Sequence, residues 1–443
     1  MNEAPTDACG LLVISFYFTP LAGGYTRRMH NLVRRLPGRG VLPHVLTVDE
    51  RHYAELVCEP GLLDQLGVGV EIRRTPVWLH WPRRDSPLGS GSNARGQRGG
   101  FALRSLGRAL IQPDRFVTWL PPALLELKRW PEAQKCCCIL ATGPPFSAHL
   151  LGLLASRLWG RPLILDFRDD WVDNPLFDSG RGLLSHILNP RLEAACVRRA
   201  SAVLTATQPS LDRLRARYSD LPGDRFLLVP NGYCAEAFDR PGPSRSPGRD
   251  RLVVRHLGSL STNRSPRGLF EALHLLRERD SRWGRRLRIV FNGSLESANE
   301  ARVQEMGLTD QVEFGPFYPV DEVPRLLLEE TDVCLAIQSN QEGGDTAIPG
   351  KVYEYLACGK PILCLADEGA TPAFLRSLQA GKTAPIGSAV AIASALEELD
   401  RDYEDELRRA QGARERARVF EYANQAAVIA ELVRRLGGEP RPL

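Results

Sequence analysis

The chain has 443 residues, of which 43% are hydrophobic and 25% charged, with a formal net charge of +4. That length exceeds what one core usually serves and points to two domains of roughly 200 residues each. The composition is that of a soluble globular protein, and so small a net charge gives no global argument for a nucleic-acid partner. Ten cysteines are present, with Cys136, Cys137 and Cys138 consecutive and no CxxC spacing. Neighbours in a strand point to opposite faces and pair poorly, so reduced, buried thiols in a cytoplasmic protein are expected. The apolar run Leu11 to Phe18 lacks a basic leader and is too short to span a bilayer, and the run Leu150 to Leu158 is broken by Arg157. No transmembrane helix is expected.

In chain order, Leu11 to Phe16 reads as a buried strand. The loop Pro20 to Tyr25 follows, then a helix marked by Met29, Leu32, Val33 and Leu36, then the strand His44 to Val48. This is a βαβ unit. Further strands are expected at Cys138–Ala141, Pro162–Asp166 and Ala202–Thr205, with helices at Ala148–Leu158 and Leu183–Arg199. Strands alternating with helices imply a doubly wound parallel sheet. Residues 78–100 differ. Trp78 and Trp81 stand near Arg83 and Arg84, and the stretch from Gly89 to Gly100 is rich in Gly, Ser and Arg. It reads as a solvated loop, with contact to a membrane surface or an acceptor as the alternative.

Arg240 to Gly248 is the clearest linker. The pattern then restarts with strands at Leu252–Leu257, Leu287–Phe291, Val312–Phe314, Val333–Ile337 and Ile362–Leu365, and a helix at Leu269–Arg279. The Arg-rich segment Ala413 to Leu436 reads as one helix that packs back across the domain junction. The expected organisation is an N-terminal Rossmann-like domain (1–239), a linker (240–250), a C-terminal Rossmann-like domain (251–412) and a C-terminal helix (413–443).

Ligands of open parallel sheets sit beyond the carboxyl ends of the strands, so the loops there carry the candidate chemistry. Gly23 and Gly24 let backbone approach a ligand, with Arg27 and Arg28 just after; a plain turn is the alternative. In Asp166-Phe167-Arg168-Asp169-Asp170-Trp171 a carboxylate can orient or activate a hydroxyl, Asp169 being preferred over Asp170. The alternative is structural pairing with Arg168. Gly258 to Gly268 combines glycine, hydroxyls and cations before a helix, which suits an anion. Arg264 would clamp a diphosphate through paired donors, and Arg267 is the alternate. Lys351 and Glu354 share one face at the start of a helix. The cation and the backbone donors attract phosphate, and the carboxylate accepts from ribose hydroxyls. The alternative there is an ordinary capped surface helix. Gly89 to Ala94 fits a dinucleotide fingerprint by letters alone, with no strand before it. Asp400-Arg401-Asp402 sits in a charged helix without further ligands, and the eight histidines are scattered, so no metal site is expected.

Taken in order, these pieces resemble the retaining glycosyltransferases of family 4, which have the GT-B fold: two Rossmann-like domains facing across a cleft. The resemblance rests on Ser15 to Pro20 with Gly23-Gly24, on Thr142 to Ser147, and on Asp166 to Asp169. It continues through Val229 to Tyr233, Gly258-Ser259-Leu260 with Arg264-Ser265-Pro266, and Lys351 to Tyr355. It spans nearly the whole chain and is nearest to bacterial enzymes that build surface polysaccharides. It implies transfer of a sugar, with retained anomeric configuration, from a nucleotide-diphosphate sugar to a hydroxyl acceptor. The acceptor would be a polysaccharide, a lipid-linked glycan or a natural product.

The resemblance implies that Glu354 binds the ribose, that Arg264 and Lys351 neutralise the leaving diphosphate, and that Gly23 and Gly24 approach the donor. Gly315 to Tyr318, including Phe317, would hold the base. Asp169, Arg264 and Lys351 are the catalytic candidates. No metal or other cofactor is implied, because fixed cations do that work. Two departures stand out. Thr346 lies where many relatives carry a second Glu, leaving Glu342 or the amides of Gly343 and Gly344 as substitutes. Ser259 lies where many carry Arg. A non-catalytic sugar-nucleotide-binding subunit and a sugar-nucleotide 2-epimerase of the same fold are the alternatives. The expected location is cytoplasmic, with peripheral contact at the inner membrane face permitted.

Overall fold

The computed structural model describes residues 9–53, 56–78, 111–172, 174, 183–239, 251–258, 260, 265–293, 297–338 and 346–438. These fall into two units. One gathers the described residues up to 230 together with the segment from 422 onward, and the other holds those from 231 to 421. The expected linker at 240–250 lies outside the described residues, as does most of the loop at 78–100, Trp78 alone being described.

The first unit runs β1 (Cys9–Ser15), α1 (Gly24–Val33), β2 (Val41–Val48), β3 (Glu71–Thr75), α2 (Leu120–Lys128), β4 (Cys138–Gly143) and α3 (Ser147–Trp159). It continues with β5 (Leu163–Phe167), α4 (Leu183–Arg199), β6 (Ala202–Thr205), α5 (Gln208–Arg217) and β7 (Phe226–Leu228). Its strands form one sheet in the order β3-β2-β1-β4-β5-β6-β7, parallel throughout. β4, β5 and β6 are buried at every residue, as central strands covered by helices must be, which is why they read as unbroken apolar runs.

The second unit runs β8 (Leu252–Leu257), α6 (Arg267–Arg279), β9 (Leu287–Asn292), β10 (Val312–Gly315), β11 (Val333–Ile337), α7 (Gly350–Cys358), β12 (Ile362–Leu365), β13 (Lys382–Ala384) and α8 (Ala389–Arg401). The sheet order is β10-β9-β8-β11-β12-β13, again parallel. One core packs α6 and α8 on one face of this sheet, and a second packs α7 on the other. In each unit the strand order reverses once, between β1 and β4 and between β8 and β11. Those reversals open the crevices where doubly wound sheets receive ligands. The loops after β1, β4, β8 and β11 therefore lie at those crevices.

Three strands escaped the sequence pattern: β3, β7 and β13. All are edge strands, paired on one side only. They are partly exposed; β3 and β13 carry no apolar run, and β7 is only three residues long. The expected single helix from Ala413 to Leu436 is broken. A helix ends at Arg416, a 3-10 turn covers Ala417–Phe420, and the C-terminal helix spans Tyr422–Gly437. The break has a cause in the backbone. Glu421 is extended (φ −60°, ψ 135°) and forms a strand-like bridge with Tyr233, whose N–H donates to Phe420 O at 3.3 Å. No helix among the described residues is long and apolar enough to cross a membrane.

The expectation of reduced thiols is corrected at one pair: Cys9 and Cys137 form a disulfide. Parallel pairing of β1 with β4 sets Leu11 opposite Cys138, which brings Cys137 level with Gly10 and next to Cys9, with the two Cα atoms 6.3 Å apart. That separation suits a bridge. Adjacent-cysteine geometry excluded pairing within 136–138 and said nothing about Cys9. Cys136, Cys138, Cys196, Cys334, Cys358 and Cys364 are buried and free. The bond closes a long loop, so the C9S/C137S variant should lose about 2–4 kcal/mol of stability. Urea unfolding of both proteins without reductant measures the difference, and peptide mapping under non-reducing conditions should recover the linked pair.

Candidate nucleotide-sugar site

At the carboxyl end of β8 the chain turns at Gly258, whose φ of 113° belongs to the region that favours glycine. Its N–H donates to Asn292 O at 2.8 Å, joining the ends of β8 and β9. α7 starts beside this turn, just after Pro349, and stops at the left-handed Gly359. α7 is not a surface helix: Val352 through Cys358 are all buried. Lys351, in its first turn, donates from Nζ to Leu257 O at 2.8 Å and lies 2.9 Å from His256 Nε2. His256 is fully buried, and its Nδ1 is 2.9 Å from Leu335 O. A carbonyl only accepts, so Nδ1 carries the proton and Nε2 accepts from the Lys351 ammonium. One turn further along α7, Tyr355 Oη accepts from Leu257 N–H at 2.9 Å. Both backbone groups of Leu257 are thus held by α7.

Glu354 lies three residues after Lys351 and is only 5% exposed. A carboxylate this deep in a helix facing a core needs polar company. Phe317 follows β10 and is 48% exposed. The turn before it is braced from below, because Asn292 Nδ2 donates to Pro316 O at 3.4 Å. Asn292 Oδ1 in turn accepts from Arg255 Nη1 at 2.6 Å. Arg255 is itself buried and donates to Thr331 Oγ1 at 3.0 Å and to Glu330 O at 3.2 Å. Arg267, the alternate cation, is exposed and paired with Glu271. Thr346 is buried. Ser259, Arg264, Glu342, Gly343 and Gly344 lie outside the described residues.

In the first unit, Gly23 takes φ 102° just before α1, where any side chain would be strained, and Gly24 opens the helix. Arg28, one turn into α1, pairs with Asp166 at the end of β5 through Nη2–Oδ1 at 2.9 Å and Nε–Oδ2 at 3.3 Å. Both side chains are at most 2% exposed. Thr142 Oγ1 adds a donor to Asp166 at 2.8 Å, and Arg28 Nη1 donates to Pro230 O at 2.6 Å. Burial opposes ionisation of Asp166, yet Arg28 and the Thr142 hydroxyl outweigh it and hold the carboxyl below its ordinary value. Arg168 donates to Gly143 O and Pro144 O. The two carboxylates after it separate by role. Asp170 is buried and paired with Arg213 at 3.1 Å, whereas Asp169 is half-buried and acts electrostatically on Arg168. Trp171 stacks on Phe146 with ring centroids 4.8 Å apart, closing the apolar floor of this loop.

The structure therefore gathers Gly258, Lys351 and Glu354 around the start of α7 and sets Phe317 at the end of β10. Gly23, Gly24 and Asp169 lie on loops of the first unit. Sequence reasoning passed over His256, Tyr355, Arg255, Asn292 and the pairing of Arg28 with Asp166. A signal was present for two of them, since Arg255 and His256 interrupt a strand buried at every position. Polar side chains in such a strand need partners.

The arrangement is that of a two-sheet α/β protein with a cation fixed at a helix start beyond one strand end. The model of the Glycosyl transferase 4-like domain matches residues 23–232, and that of the Glycosyl transferases group 1 domain matches 243–418. The chain belongs to the GT4-like glycosyltransferases of the GT-B fold. Among solved structures it is similar to HepE of Anabaena in complex with UDP and glucose, at 18% identity and TM-score 0.64, covering 97% of this chain and 100% of that one. Sucrose-phosphate synthase of Thermosynechococcus elongatus gives 16% identity and TM-score 0.67, covering 97% and 99%. WaaG, a glycosyltransferase involved in lipopolysaccharide biosynthesis, gives 15% and 0.59, covering 96% and 99%. At these identities the likeness establishes the fold. A search of curated proteins found no match.

Two stability predictions follow from the first unit. Asp166→Asn leaves Arg28 buried without its counter-charge and should cost about 3–5 kcal/mol, measured by chemical unfolding. His149, fully buried against Phe146 and Phe167, has its pKa lowered by burial from 6.5 to about 4. The unfolded chain takes up this proton below pH 6.5 while the native one refuses it until about 4. Stability is therefore complete above 6.5 and is lost as pH falls through that window. His30 acts in the same direction. His149→Phe should flatten part of the fall, read from unfolding midpoints at pH 7, 6, 5 and 4.5.

Proposed function

We propose that the protein is a retaining, metal-independent glycosyltransferase that moves a sugar from a nucleotide-diphosphate sugar to a hydroxyl acceptor. The observation that carries this reading is the Lys351 ammonium, tied to the end of β8 beside Gly258 and set in the first turn of α7. A fixed cation at a helix N-terminus suits a leaving diphosphate. Glu354 would receive the ribose hydroxyls, and the turn at Phe317 would receive the base. Arg264, with Ser259, Glu342, Gly343 and Gly344, would complete the donor site. Gly23 and Gly24 would bring backbone to the donor from the first unit, and Asp169 would orient the acceptor hydroxyl. HepE, solved with UDP-glucose, makes UDP-sugars the first donors to try. The acceptor would be a polysaccharide, a lipid-linked glycan or a natural product, and the reaction would run in the cytoplasm. Thr346, standing where many relatives carry Glu, favours a second reading as a sugar-nucleotide-binding subunit without turnover.

A thermal-shift screen against UDP-, GDP- and dTDP-sugars should identify the donor, and release of the nucleoside diphosphate then measures turnover. Lys351→Met should lower kcat/KM by roughly a hundred- to a thousandfold. Glu354→Gln should weaken nucleotide binding about tenfold, through loss of a charge-assisted hydrogen bond. Both should be compared only after their unfolding midpoints have been measured. Turnover should persist in EDTA. Unchanged kinetics in both variants would refute the assignment, binding without turnover on any acceptor would favour the second reading, and inactivation by EDTA would reject metal independence.

A further inference from the structure

We propose that the outer face of α2, α3 and α4 docks on an anionic lipid bilayer. The three helices pack side by side on one face of the first unit's sheet. Each presents one exposed stripe at helical spacing. On α2 it is Leu125 and Lys128, with Arg129 just past the helix end; on α3 it is Leu154, Arg157 and Leu158; on α4 it is Leu184, Ile187 and Arg191. The aliphatic members are far from buried, Leu158 at 54%, Leu125 at 43% and Ile187 at 41%.

A helix of a soluble domain normally turns charge outward and apolar residues inward, and single exposed aliphatics are ordinary. Here five stand on three neighbouring helices, and the charges among them are cations. α3 contains no acidic residue at all. The acids of the other two helices are withdrawn: Glu126 is held by Arg73 at 2.9 Å, and Glu193 is fully buried and bonded to Arg217 and Tyr218. Arg198, further along α4, is neutralised by Asp220.

Leucine and isoleucine flanked by lysine and arginine that have no ion pair among the described residues match the boundary between acyl chains and anionic headgroups. A second copy of the chain is a poor occupant, since a two-fold contact brings the same patch to both sides and would set cations against cations. The inference needs no donor and no turnover, so it stands or falls apart from the transfer reading.

Vesicle flotation of the full chain tests it, with phosphatidylcholine alone against an equal mixture of phosphatidylcholine and phosphatidylglycerol. The wild type should float with the anionic vesicles and at least tenfold less with the neutral ones, and high salt should weaken binding. Each surface cation is worth about fivefold, so Arg157→Glu with Arg191→Glu should reduce binding by more than tenfold, and Leu158→Ser with Ile187→Ser comparably. Unfolding midpoints should be unchanged in both pairs. No flotation of the wild type, or flotation of both variant pairs as strong as that of the wild type, overturns the proposal. So does loss of binding in Trp78→Ala alone, which would move the contact to that residue. A concentration-dependent dimer that Leu158→Ser with Ile187→Ser dissolves, without vesicle binding, overturns it as well.

Discussion

Leu257 ends β8, and both of its backbone polar groups are taken by side chains of α7: the N–H by Tyr355 and the C=O by Lys351. A strand end inside a fold cannot leave those groups bare. In most sheets a neighbouring strand or water meets the need. Here a helix does so through two residues four apart, which places its first turn against the turn at Gly258. The proton on His256 then follows by elimination, and with it the orientation of the cation. The second unit's ligand end is therefore set by the way one strand terminates. The buried body of α7, with Tyr353, Leu356 and Ala357 in the core, keeps that first turn in place.

The first unit solves a similar problem with charge. Asp166 at the end of β5 and Arg28 in α1 are both nearly inaccessible, and neither is tolerable alone. Together, with Thr142 and the Pro230 carbonyl, they join a strand end, a helix and the chain that leaves the unit. The loop that carries Asp169 begins at this knot, so its starting direction is fixed by a paired core and leaves Asp169 itself only half-buried.

Much of this was legible from the residues. Central strands announced themselves because burial on both faces forces apolar runs, and α7 was framed by Pro349 and Gly359. Three of the four edge strands, β3, β7 and β13, were silent because they are short or partly exposed, whereas the edge strand β10 could still be read from its residues. The break at 417–421 was silent because its cause is a backbone pairing with Tyr233, nearly two hundred residues earlier. Lys351 and Glu354 could be picked out, since a cation and a carboxylate three apart at a helix start form a local pattern. His256 and Tyr355 could not be given roles, because each acts on a neighbour that only the fold supplies. Cys9 and Cys137 met for the same reason, through the register of two strands.

The C-terminal helix Tyr422–Gly437 belongs to the unit that the N-terminus begins. Arg39 donates to Ala423 O, and Gly437 sits so close over the disulfide that a Cβ there would lie 2.6 Å from Cys137 Sγ. The first unit is thus woven from segments that precede and follow the second in the chain. During synthesis it cannot be completed when its own strands emerge; it must wait until the whole second unit has followed, whereas that unit already has its full chain in hand. The later half is free to mature first, and the earlier half is closed by a helix that leaves the ribosome after it.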